Sequence, residues 1–114
     1  MSEKIYNLEP LSVLVDGNEK FKKYLIELFI QTTPPILIDL KTALDSKDYS
    51  NVYAHTHKVK PTLDSMGMIS LRPLVEEIMS LSKSSSPGND LNNLVDDLCQ
   101  KVSIAIDQLQ ANEL

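Results

Sequence analysis

Shortages narrow the possibilities for this chain before any motif does. Cys99 is its only cysteine, which excludes a disulfide framework and a thiolate metal cluster. It falls inside an apolar helical pattern, so a reduced thiol buried in the core is expected. Arg72 is the only arginine, against ten lysines. Sites that grip phosphate bidentately are built on arginine, so a nucleotide pocket is disfavoured. The three glycines, Gly17, Gly67 and Gly88, lie far apart and form no phosphate-cradling loop. No uncharged apolar run approaches the roughly 18 residues of a membrane span. Met1-Ser2-Glu3-Lys4 opens no apolar signal core, so a cytoplasmic location is expected. A net charge of −5 makes nucleic acid and anionic membranes poor partners.

What the chain does have is helical periodicity. Apolar residues make up 42% of its 114 residues, enough for one core and one domain spanning residues 1–114. Leu8 to Val15 is a short apolar stretch ended by Asp16-Gly17-Asn18. Asn18 can cap a helix whose apolar residues are Phe21, Leu25, Leu28 and Phe29. Pro34-Pro35 are expected to stop that helix and open another, with Ile36, Leu37, Leu40 and Leu44 inward. Asp48 caps a helix running to Gly67, with Val52, Thr56, Val59, Leu63 and Met66 at alternating four- and three-residue steps. Ser70 caps the next, carrying Leu71, Leu74, Val75, Ile78 and Leu81. Ser84-Ser85-Ser86-Pro87-Gly88 reads as a linker. Asp90 then caps a last helix striped by Leu91, Leu94, Val95, Leu98, Val102, Ala105 and Leu109. No segment alternates as a half-buried strand would. The expected fold is all-α: an antiparallel four-helix bundle with one or two additional short N-terminal helices.

Both histidines lie in Tyr53-Ala54-His55-Thr56-His57-Lys58-Val59-Lys60-Pro61. At helical spacing His57 lies about 200° from Val59, facing solvent, with Tyr53, Lys60, Pro61 and Asp64 on its face. His55 is about 200° further round, at the edge of the buried stripe. The two cannot hold one metal ion, which would need i, i+4 spacing. An exposed imidazole, largely neutral at pH 7, offers a nucleophilic nitrogen suited to phosphoryl transfer. Lys60, one turn on, can hold a cation near the phosphate. The plainer alternative is a surface histidine among solvated lysines. Pro61 is the one proline inside a strongly patterned helix, where it removes the bond to the His57 carbonyl at a cost of roughly 3 kcal/mol. A broken local rule beside an exposed histidine is where function is expected; a packing kink, or a helix ending near residue 60, is the alternative.

His57-Lys58-Val59-Lys60-Pro61-Thr62, with Gly67 ten positions after the histidine, resembles the motif of the histidine-containing phosphotransfer (HPt) domain family. That motif reads His-x-Leu-Lys-Gly-Ser-Ser, followed by a glycine that ends the helix. Asp16-Gly17-Asn18-Glu19, Leu28-Phe29, Pro34-Pro35, Asp48, Leu71 and Leu74 also fall where the family has similar residues. The resemblance implies His57 as phosphoacceptor, on the imidazole nitrogen farther from the backbone, and Lys60 as the phosphate-neutralising lysine. Tyr53, Pro61 and Asp64 would contact the partner. It further implies a phosphocarrier with no kinase or phosphatase activity, relaying phosphate between response-regulator receiver domains, that of a hybrid sensor kinase among the candidates. The receiver would supply magnesium, and the chain would carry no cofactor of its own. Three departures from the family pattern matter: Pro61 stands for the glycine, Thr62 keeps the hydroxyl of one serine while Leu63 replaces the next residue, and His55 is a second histidine with Val59 at its +4 position. A helical adaptor that docks receivers without phosphotransfer is the alternative function.

Overall fold

The structure, a computed structural model, describes residues 3–84 and 87–114. Among the described residues it is helical, with no strand. A short helix α1 (Glu9–Leu14) is followed by a tight turn through Asp16, Gly17 and Asn18. The Asn18 side chain then accepts the Phe21 N–H at 3.0 Å, satisfying a donor that the first helical turn leaves free. So begins α2 (Glu19–Asp45). Asp48 plays the same part for α3 (Tyr49–Ser65), accepting the Asn51 N–H at 3.3 Å. A single 3₁₀ turn (Ile69–Leu71) leads into α4 (Arg72–Ser82), and α5 (Gly88–Glu113) completes the chain.

The expected break at Pro34-Pro35 does not occur, and α2 passes through both prolines. Their missing N–H groups leave the carbonyls of Ile30 and Gln31 without the usual partner. Burial explains why the helix continues. Ile26, Phe29, Thr33, Leu37, Leu40 and Leu44 are all buried and recur at steps of three and four across the prolines. A break there would take one half of that stripe out of register with its neighbours. The expected N-terminal stripe is also corrected. Ile26 and Phe29 turn inward, while Phe21 and Leu28 are exposed.

Two helix starts differ from expectation. Ser70 lies inside the 3₁₀ turn and makes no cap; α4 opens at Arg72, with Pro73 in its first turn. Asp90 is not the N-cap of α5, which begins two residues earlier at Gly88. From the first turn its carboxylate still complements the positive end of the helix dipole. Within the expected linker, Ser85 and Ser86 lie outside the described residues.

Helix α2 packs on α3 and α5, α3 on α4, and α4 on α5, closing a ring of four. Val52, Val59 and Leu63 of α3, Val75 and Ile78 of α4, and Leu91, Val95, Leu98 and Val102 of α5 fill its centre. The residues ahead of α1 strap across one end of the bundle. The Asn7 N–H donates to the Met66 carbonyl at 3.2 Å, and the buried Tyr6 donates its hydroxyl to Glu113 at 2.8 Å. Burial, followed by the Glu113 carboxylate, raises the Tyr6 pKa.

Candidate functional site

The sequence of α3 decides which way its polar residues point. Val52, Thr56, Val59 and Leu63 are buried, and the Thr56 hydroxyl, with no water to meet, donates to the Val52 carbonyl at 2.8 Å. Fixing that stripe inward leaves His57, Lys58 and Pro61 exposed. Pro61 does not end the helix. Four more residues follow, and its own carbonyl accepts the Ser65 hydroxyl at 3.0 Å. His55 is half-buried on another side of α3, in a groove shared with Asp39, Thr42, Asp48 and Asn51, as its position two residues from His57 requires.

Three contacts assemble a face around His57. The ring of Tyr53, one turn earlier, stacks with the imidazole at a centroid distance of 6.1 Å and an interplanar angle of 19°. The Nζ of Lys83, just beyond α4, lies 5.0 Å from the Tyr53 ring centroid, a cation–π distance. Lys60, one turn after His57, pairs with Glu76 of α4. The Glu76 carboxylate raises the Lys60 pKa, first through that hydrogen bond and then through its charge. Asp64, at the far end of the face, accepts from Arg72 Nε at 2.8 Å.

All five residues expected at the site therefore share one side of α3, and three more come from α4 and its C-cap: Arg72 and Glu76 within the helix and Lys83 just after it. Their spacing of four and seven residues, which puts them on one helical face, is the signal the sequence holds for them. What it lacks is the register of α4 against α3, which the 3₁₀ turn sets.

Beside Pro61 an apolar groove of about 370 Å³ runs between α1, α2 and α3, lined by Leu11, Leu14, Leu25, Leu28 and Met66 among others. Two of its lining residues are exposed, Leu14 at 76% and Leu28 at 40% of full exposure. Cys99, expected in the core, is only half-buried. Burial raises its pKa, with the nearby Lys41 charge pulling the other way.

The sequence model of the Hpt domain matches residues 25–112, well over half of the chain. The chain belongs to the Hpt domain family. Hpt domains are helical bundles that act as phosphocarriers in two-component phosphorelays and interact with receiver domains. The Hpt match takes in all of α3, α4 and nearly all of α5, and leaves α1 and the first turns of α2 outside it. No curated protein and no solved structure matches the chain.

Proposed function

We propose that this chain is a phosphocarrier in a multistep phosphorelay, with His57 as the residue that carries the phosphoryl group. The observation that carries this reading is an exposed imidazole on the solvent face of the patterned helix of an Hpt domain, with a lysine one turn on. In the forward step the imidazole nitrogen attacks the phosphorus of a receiver's aspartyl phosphate. The P–O bond to the aspartate breaks as the P–N bond forms, and the imidazole N–H proton is available to solvent. The reverse step passes the group to the aspartate of a second receiver. Attacking and leaving atoms must lie in line in a loose transition state, so the receiver has to descend over α3.

The receiver brings the magnesium ion and the acidic pocket; this chain brings the nucleophile, Lys60 and a docking face. That face comprises Tyr53, Pro61 and Asp64 with the groove beside α1. Leu14 and Leu28, exposed in its lining, offer the apolar contact that a small transient interface, on the order of 1,200 Å² or less, would use. The expected setting is the cytoplasm, and no helix among the described residues is long and apolar enough to cross a membrane.

The deciding experiment is phosphorylation through a receiver domain charged with acetyl phosphate. An acid-labile, base-stable phosphoryl group should form on His57 and be lost in His57→Gln with helical content unchanged. Labelling retained in His57→Gln and lost in His55→Gln would overturn the assignment. Binding of receivers without any labelling would instead mark an adaptor.

A further inference from the structure

Lys60 is the cation one turn from His57, and it already has a partner. Glu76, reaching from α4, accepts a hydrogen bond from its ammonium group. The other carboxylate within a turn of Lys60, that of Asp64, is engaged by Arg72. Glu77, next to Glu76, is exposed and in no ion pair among the described residues. The Lys60–Glu76 pair is itself solvent-exposed, and such pairs are weak enough to exchange readily. Its geometry therefore suits a cation that is parked rather than locked.

We propose that Glu76 is a positioning residue that competes with a phosphoryl group on His57 for Lys60, and so sets how readily this carrier gives the group up. The proposal rests on His57 being the phosphoacceptor. In the unphosphorylated chain Glu76 holds the lysine beside the site through their ion pair. A phosphoryl group on His57 brings close to two negative charges, and Lys60 must then leave Glu76 or divide itself between the two. That competition raises the phosphorylated state relative to a chain with a neutral residue at this position. The group then leaves sooner. In hydrolysis a water oxygen attacks phosphorus, the P–N bond breaks, the imidazole nitrogen takes a proton and inorganic phosphate departs.

The test uses the whole chain with phosphoramidate as donor, whose P–N bond breaks with loss of ammonia as the bond to imidazole forms. Phosphorus NMR then follows decay of the phosphohistidine. Glu76→Gln should lengthen its half-life about two- to fivefold, the range an exposed ion pair can supply. Glu76→Asp should stay close to wild type. Glu77→Gln, which removes the same charge away from Lys60, should change little. In a Lys60→Ala background most of the gain from Glu76→Gln should vanish. An unchanged half-life in Glu76→Gln, an equal effect of Glu77→Gln, or a gain that persists in full without Lys60 would each overturn the role of Glu76 while leaving His57 as carrier. A wild-type chain that takes no phosphate on His57 would remove the carrier reading and the role of Glu76 together.

Discussion

Pro61 concentrates the local physics of the site. It sits one turn beyond His57, exposed and within an unbroken helix, under the line of approach proposed for a receiver. A side chain folded back on its own backbone leaves that approach open, as a glycine would. Pro61→Gly is therefore expected to keep phosphotransfer, measured as the rate of phosphate exchange with a receiver. Pro61→Glu should abolish it through bulk and repulsion from the receiver's acidic pocket. Wild-type transfer by Pro61→Glu would move the docking face elsewhere. Lys60→Ala should slow uptake or shorten the life of the phosphohistidine with little loss of stability, because the side chain is exposed. Lys58, about 100° off the His57 face, should matter less. At this scale the sequence was informative, since exposure of His57, Lys58 and Pro61 follows from the buried positions of Val52, Thr56, Val59 and Leu63. Glu76 and Lys83 were not legible, because what makes them neighbours of Lys60 and Tyr53 is the packing of one helix on another.

Helix ends and helix interiors show where local rules hold and where burial overrides them. The caps at Asn18 and Asp48 were readable because a capping side chain needs nothing beyond three residues of its own chain. The prolines of α2 were misread because their local cost is offset by a stripe of contacts with other elements. Thr33 records part of that compromise: it is fully buried, and its hydroxyl finds no partner among the described residues. An unsatisfied buried polar group costs about 1–3 kcal/mol, so Thr33→Val, nearly equal in shape, should raise stability by about 1 kcal/mol in a denaturant titration. An unchanged or lowered midpoint would mean that the hydroxyl is satisfied in solution. Gly67 is the opposite case, where the backbone decides. Its φ of +67° is left-handed, and an added Cβ would lie 1.9 Å from the Asn7 carbonyl oxygen. Gly67→Ala should therefore cost about 2 kcal/mol or more, visible as a drop in unfolding midpoint, because the atoms it would meet are Asn7 backbone, not a flexible side chain that can move aside.

For the molecule as a whole, the bundle was legible as four amphipathic stripes, but the way its first residues close one end was not. Tyr6 and Leu8 are buried with Leu11 and Val15, contacts that join the start of the chain to the ends of α3 and α5. The Tyr6 link also carries a pH dependence. Its folded pKa lies above the unfolded value, so the protonated phenol is favoured in the native state. That contribution is fully present below the ordinary tyrosine pKa of about 10 and fades as pH rises through the folded value. Tyr6→Phe should flatten this alkaline loss of stability; an unchanged slope would detach Tyr6 from it. The same strap bears on how the protein can be cut. The part of the chain that matches its family begins at residue 25, yet Tyr6, Leu8, Leu11 and Val15 lie before that point. A fragment cloned at the family boundary would remove the α1 wall of the groove beside Pro61, Leu11 and Leu14, and strip the core of four side chains. The span that matches the family and the span that builds the core have different edges in this protein, and the second begins some twenty residues earlier.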